Sequence, residues 1–258
     1  MENIVESNKD QTTTTTTEPT KVDKPIKKAK KHPQDWLIFR IIGKVGRFLA
    51  KFIWPTFIYG KRNIIKGRKC IYVCNHLDAL DPFVIVGRVL KEESNVVMKS
   101  SLANNAFIRY SLYNIAGGIP IKRNENDVVA VKKILGVLNH KNQPVLIFPE
   151  GTRNPHDIKE MIPFKDGSAV FAIKTKCEIV PMLYYKRIGP FRINRLFIGK
   201  PFDLSQFYNQ SVADAKSTAT DFIYQKMLAL RAEMDFFVEE CHCNNKKFLA
   251  EYGEGQFI

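Results

Sequence analysis

The sequence predicts an α/β fold with a largely parallel sheet covered by helices, preceded by an N-terminal amphipathic, membrane-associating helical segment. Three observations carry this expectation. Short apolar runs of strand type alternate with segments of helical period, the pattern of a covered, largely parallel sheet. The chain has 258 residues and is 45% hydrophobic, enough to bury one sizeable core, with a single domain as the default. Ahead of the alternation lies a long apolar-basic stretch, Trp36 to Trp54.

Residues 1–32 read as a disordered Thr/Lys-rich tail. Thr12 to Thr17 is a homopolymer, and Lys21, Lys24, Lys27, Lys28, Lys30 and Lys31 follow with little apolar material between them. Such a segment buries too little surface to order itself. It is either a solvated tail or a polybasic anchor, the latter worth roughly 1 kcal/mol per Lys near an anionic leaflet.

Residues 33–59 read as an amphipathic interfacial segment. Asp35 is a candidate N-cap, and Pro55 closes the stretch. Arg40, Lys44, Arg47 and Lys51 form one helical stripe, with Leu37, Ile41, Val45, Phe48, Leu49 and Phe52 on a neighbouring face. Gly43, Gly46 and Ala50 make a third strip where another helix could approach. A spanning helix would hold Lys44 and Arg47 near the bilayer centre, at about 2.5–3.5 kcal/mol each. An interfacial helix avoids that cost and sets the stripe among head groups. The alternative is an ordinary amphipathic helix packed on the protein core. No run approaches the ~18 uninterrupted apolar residues of a clear span.

Residues 60–258 hold the alternation. Cys70–Cys74 is a short strand. Pro82–Leu90 is a helix, with Asp81 as N-cap and Pro82 at the first helical position. Val96–Met98 is a strand, Asp127–Leu138 a helix, Val145–Phe148 a buried strand, and Ala169–Lys174 part of a helix. Ile179–Tyr184 and Leu196–Ile198 are strands, and Val212–Glu240 is mostly one long helix. There is no internal repeat.

The formal net charge of +14 points to an anionic partner (nucleic acid, an anionic membrane, or an acidic protein or substrate) or serves only generic basic solubility, and charge alone does not choose. No nucleic-acid fold signature and no aromatic-rich basic motif accompanies it, so nucleic acid is not expected. A basic peripheral membrane-binding module is the non-enzymatic alternative. Five cysteines at spacings that form no disulfide framework fit a reducing cytoplasm. No apolar h-region follows Met1, so no secretory signal is expected.

Four blocks carry chemistry. In Asn75-His76-Leu77-Asp78-Ala79-Leu80-Asp81, His76 leaves a strand end and Asp81 opens a helix. A turn there can set the carboxylate on one ring nitrogen and leave the other as a base. With no convincing Ser or Cys partner, the pair suits removal of a proton from a substrate hydroxyl. The bland reading is a capping Asp and a surface His. Phe148-Pro149-Glu150-Gly151-Thr152-Arg153 follows the most strand-like run, where α/β sheets place ligands. Gly151 permits close backbone approach, Thr152 offers a hydroxyl, and Arg153 a fork for phosphate. The bland reading is a turn with a solvated Arg. Gly117-Gly118-Ile119-Pro120-Ile121-Lys122-Arg123 is a glycine turn, a short strand and paired cations, a second candidate phosphate clamp. Ile179-Val180-Pro181-Met182 is an apolar strand interrupted by proline.

In this order and spacing, the four blocks resemble the glycerophospholipid acyltransferase family, specifically the 1-acylglycerol-3-phosphate acyltransferases. Asn75, His76 and Asp81 meet its Asn-His, four residues, Asp pattern. Residues 150–153 meet its Glu-Gly-Thr-Arg block, Arg123 ends its Gly…Arg block, and Val180-Pro181 meets its Val-Pro block. The resemblance covers roughly residues 60–205 and departs at Asp78, where the family often has Ser. It implies that 60–258 is an acyltransferase catalytic domain, with His76 as general base and Asp81 as its orienter. Glu150, Gly151, Thr152 and Arg153 would bind the acceptor, Arg153 on its phosphate, with Arg123 and Lys99 as further phosphate-side cations.

The implied reaction moves a fatty acyl group from a thioester to the free hydroxyl of lysophosphatidic acid, giving phosphatidic acid for phospholipid biosynthesis. Glycerol-3-phosphate or another lysophospholipid is the alternative acceptor. The donor is an acyl carrier protein or coenzyme A thioester, and no metal or other cofactor is expected. The leaving thiol, with a pKa of about 8.5, departs without a dedicated acid. The implied location is the cytoplasmic face of the cell membrane, peripheral or monotopic. Two rival chemistries remain. Cys74, two residues before His76, is a candidate acyl-enzyme nucleophile, though a small core residue reads better. Cys241-His242-Cys243 is a candidate zinc site, though ligands so tightly spaced close a tetrahedron poorly and no second pair stands out.

Overall fold

A computed structural model of the chain describes residues 51–90, 95–104, 117–122, 127–154 and 160–257. The most apolar runs of the sequence meet at the centre of its main sheet. Strand β2 (Ile71–Cys74) is wholly buried between β5 (Val145–Ile147) and β6 (Ile179–Tyr184), parallel to both, with Ile71 opposite Val145 on one side and Ile179 on the other. Beyond β6 lie β7 (Asn194–Ile198) and β1 (Thr56–Tyr59), giving the order β1-β7-β6-β2-β5. The β1–β7 pair is parallel and the β6–β7 pair antiparallel. Only residues 185–193 join β6 to β7, too few for the crossover a parallel pair needs. A parallel pair, β3 (Val97–Lys99) and β4 (Ile119–Ile121), sits at the β5 edge, joined by a parallel bridge between Val96 and Leu146.

Residues two apart on a strand share a face, and each face has its own cover. Ile71, Val73, Val145, Ile179, Leu183 and Phe197 belong to one cluster. It is completed by residues of α2 (Val128–Asn139), α3 (Gly167–Thr175) and α4 (Val212–Glu239), among them Ile134, Ala172 and Met227. Tyr72, Cys74, Val180, Met182, Tyr184 and Leu196 face the other way, with Ile85 of α1 (Asp81–Ile85) and the π-helical turn Val86–Leu90 that continues it. Each fully buried large apolar side chain contributes about 1.5–3 kcal/mol.

The α/β architecture and largely parallel sheet agree with the sequence reading, and most boundaries fall within two residues. Asp127 caps α2 by accepting from the Ala130 amide, and Ser211 caps α4 by accepting from the Asp214 amide. Three features differ. Asp81 is not an N-cap: it lies within the first turn, and its carboxylate turns back toward residues 76–78. Strand β1 lies at residues 56–59, inside the stretch read as interfacial. A short helix, α5 (Asn245–Glu251), follows α4 after a turn in which His242 and Cys243 both take left-handed φ.

Lys51–Ile53 is helical and leads into β1, while the rest of the stripe segment and the tail lie outside the described residues. Among the described residues, no helix is long and apolar enough to cross a membrane. Strand direction fixes where chemistry can gather. The carboxyl ends of β2, β5 and β6 share one edge of the sheet; so, through the Val96–Leu146 bridge, do those of β3 and β4. Strands β7 and β1 begin at that same edge.

Candidate active site

The site grows out of the end of β2. Asn75 is buried, and its side-chain amide pairs with the main chain of Tyr184. Its Oδ1 accepts from the Tyr184 amide at 2.8 Å and its Nδ2 donates to the Tyr184 carbonyl at 3.2 Å. The side chain thus continues the β2–β6 ladder, freeing the main chain to turn outward at His76. Asp81 closes that turn. Its Oδ2 accepts from the amides of Leu77 and Asp78, each at 2.7 Å, and lies 3.1 Å from His76 Nδ1. An oxygen already accepting two backbone N–H groups acts as an acceptor toward the ring as well. In the neutral ring Nδ1 is then the donor and Nε2 carries the lone pair. The Phe148 ring packs beside the imidazole, centroids 4.4 Å apart. The Tyr184 hydroxyl donates to the Asp81 carbonyl at 3.2 Å. Burial pushes the Asp81 carboxyl above its ordinary range, opposed by the hydrogen bonds from His76 and the two amides.

The turn after β5 braces this histidine from the other side. The Gly151 amide donates to the Phe148 carbonyl at 3.0 Å, and Gly151 adopts φ +69°. A side chain there would be strained, and its Cβ would lie 3.0 Å from Cδ and Cε of Lys165. Thr152 and Arg153 are exposed. Glu150 is not: its Oε1 accepts from the His76 amide at 3.1 Å and its Oε2 from the Ile162 amide at 3.4 Å. Burial drives its carboxyl up to about 7, against those two amides and aided by the neighbouring Asp81 charge. The Asn154 amide donates to the His76 carbonyl at 2.8 Å. Both main-chain polar groups of His76 are thus held by the segment that carries Arg153.

A family model described as "Acyltransferase" matches residues 56–185, half of the chain. The chain belongs to the acyltransferase family. A 1-acyl-sn-glycerol-3-phosphate acyltransferase of Cocos nucifera is 31% identical over 141 residues, covering 54% of this chain and 44% of that protein. A protein of the same name from Haemophilus influenzae is 27% identical over 208 residues, covering 75% of this chain and 84% of that one. The chain spans about half the length of several curated relatives, including the human 1-acyl-sn-glycerol-3-phosphate acyltransferase beta, of which 51% is covered. The crystal structure of the 1-acyl-sn-glycerophosphate (LPA) acyltransferase from Thermotoga maritima shares the fold, with a TM-score of 0.52 at 22% identity over 76% of this chain and 79% of that one.

In this acyltransferase fold, the described site brings together His76, Asp81, Glu150, Gly151, Thr152 and Arg153. Glu150 is buried, with each of its oxygens accepting from a backbone amide within the protein. Lys99 is exposed at the carboxyl end of β3, on the same sheet edge. Arg123 lies outside the described residues. Cys74 is fully buried, and burial holds its thiol well above its usual range, with the charges of Asp81 and Glu150 adding to the effect. The sequence reading did not single out Asn154, Tyr184, Phe148 or Lys165. A lysine ahead of a helix and a tyrosine ending an apolar strand carry no pattern that separates them from surface and core.

Proposed function

We propose that this chain transfers a fatty acyl group from an acyl thioester to the free hydroxyl of lysophosphatidic acid, giving phosphatidic acid. The observation that carries the proposal is the His76–Asp81 pair at the carboxyl edge of the sheet, with Nε2 unengaged by the carboxylate and the Gly151–Arg153 turn tied to the same histidine. The relatives' names supply the acceptor class. His76 Nε2 takes the proton as the acceptor oxygen attacks the thioester carbonyl. The tetrahedral adduct then collapses: the C–S bond breaks, the new ester remains, and the sulfur leaves as the thiolate, after which His76 releases the proton it took, to solvent or to the departed thiolate. Asp81 fixes the ring tautomer and balances the imidazolium.

Glu150 and Asn154 are positioning residues for His76. Arg153 meets the acceptor phosphate, with Lys165, Lys99 and Arg123 as further cations around it. Thr152 offers a hydroxyl beside them, and Gly151 leaves room for the approach. Cys74 takes no part, because a thiol so buried is neither ionised nor reachable. The donor is an acyl carrier protein or coenzyme A thioester, both anionic and suited to a chain of net charge +14. The enzyme works at an anionic membrane surface, on its cytoplasmic side, with the Arg40–Lys44–Arg47–Lys51 stripe as one attachment.

The test is an assay of labelled acyl thioester against lysophosphatidic acid, glycerol-3-phosphate and lysophosphatidylcholine in parallel. Label should appear in phosphatidic acid and not with His76→Ala. Preferential transfer to either other acceptor, or thioester hydrolysis alone, would overturn the assignment.

A further inference from the structure

The loop between β6 and β7 has no part in the chemistry above, yet it is built with care. Residues 185–193 read Tyr-Lys-Arg-Ile-Gly-Pro-Phe-Arg-Ile, three cations and no acidic residue. At its tip Phe191 is 82% exposed and Ile193 55%. Phe191 also adopts φ +54°, a left-handed conformation that a bulky residue takes only when its surroundings impose it. The imposing group is Asn194, buried at the start of β7. Its Oδ1 accepts from the Gly189 amide at 2.9 Å, and its Nδ2 reaches the carbonyls of Gly189, Arg192 and Pro55 at 3.1–3.2 Å. The Phe191 amide donates to the Ile53 carbonyl at 2.6 Å, tying the loop to the segment that enters β1. The fold thus holds a strained backbone that keeps two apolar side chains in water, while Ile188 of the same loop is buried in the core.

We infer that this loop is a membrane-insertion element: Phe191 and Ile193 enter the interface of an anionic bilayer while Lys186, Arg187 and Arg192, all exposed, meet its head groups. Two apolar side chains on one turn are far too small a patch for a stable protein partner, which needs about 800 Å² per side. They are the size of an interfacial anchor, and the surrounding cations complement an anionic leaflet. Sheet direction adds the decisive link. The loop leaves the carboxyl end of β6, on the same edge as His76 at the end of β2. Docking through it brings that edge to the depth of the head groups, where a lysophospholipid presents its phosphate and hydroxyl. This contact uses none of the residues of the N-terminal stripe. Its link to catalysis rests on the acyl-transfer reading; its existence does not.

The experiment is sedimentation of the full chain with phosphatidylglycerol–phosphatidylcholine vesicles, for the parent and for Phe191→Ser/Ile193→Ser, with thermal melts of both. The double variant should lose at least about tenfold in partition coefficient while melting as the parent does. A Phe191→Trp chain, which leaves the loop apolar, should show emission quenched by brominated-acyl lipid beyond that of the parent. That arm decides the matter should the double variant misfold. Parent-like partitioning of the folded double variant, or quenching of the Phe191→Trp chain no greater than that of the parent, would overturn the proposal. So would lipid-free self-association that the double variant abolishes, which would assign the patch to a second copy of the chain. Acceptor preference is measured separately in detergent micelles, so failed acyl transfer there would leave the vesicle result standing, and the reverse.

Discussion

Replacing Glu150 by glutamine tests the brace behind His76. The carboxyl is buried and holds its proton up to about 7, against an ordinary value of 4.5. The native state therefore binds the proton more tightly than the unfolded chain does. Below pH 4.5 both states carry it, and the contribution to stability is complete. As pH rises the unfolded chain releases its proton first, so stability falls by up to about 1.4 kcal/mol per pH unit and the contribution is lost above about pH 7. The whole swing is about 3 kcal/mol, of which about 2.5 kcal/mol falls between about pH 5 and pH 8. Glu150→Gln does not titrate. It also turns its amide nitrogen, a donor, toward one of the two backbone N–H groups, an offset of about 1–3 kcal/mol at every pH. The informative quantity is therefore the slope of the difference, not its size. Urea unfolding of both chains at pH 5, 6, 7 and 8 should show the parent's advantage shrinking by about 2.5 kcal/mol as pH rises. Asp81 is present in both chains, so its direct titration largely cancels. A difference that stays flat, or grows with pH, would refute the buried, proton-retaining role of Glu150.

Other changes address the chemistry directly. His76→Ala should lose about 10²–10⁴ in turnover while the protein stays folded, and Asp81→Asn should lose most activity; a His76→Ala enzyme within a few-fold of the parent would sink the base assignment. Arg153→Ala should raise the acceptor KM through loss of a bond worth about 1.5–3 kcal/mol; an effect confined to the donor KM would mark the residue as misassigned. Cys74→Ala should keep normal turnover while losing a little stability to a small cavity, and an inactive but folded variant would restore the acyl-enzyme route.

The parts of the fold that could be read from sequence are those with strong local signals. Ile179–Tyr184 is apolar throughout but for Pro181, and Asp127–Leu138 and Val212–Glu240 carry a helical period over many residues, so these elements matched closely. Strand β1 escaped because Thr56–Tyr59 is an edge strand of mixed burial following a proline, without the run or alternation that marks a strand. The π-helical turn at Val86–Leu90 escaped because its apolar spacing matches that of an α-helix over so short a stretch. In the site, the His76–Asp81 pairing followed from a strand end facing a helix start. The direction of Glu150 did not. Glutamate between proline and glycine looks like a ligand-facing turn residue, and only the neighbouring β2 loop supplies the His76 amide that draws it inward.

Because the main-chain nitrogen and oxygen of His76 are bonded to Glu150 and Asn154, the imidazole and the arginine-bearing turn cannot shift independently. Under the proposed roles this makes the site a ruler anchored at the phosphate. A hydroxyl is reached only if it stands the right number of bonds from the phosphorus, whatever chain the rest of the acceptor carries. Positional selectivity on the glycerol backbone then comes from the rigidity of a few backbone hydrogen bonds, and the pocket for the fatty chain is free to vary without changing which oxygen is acylated.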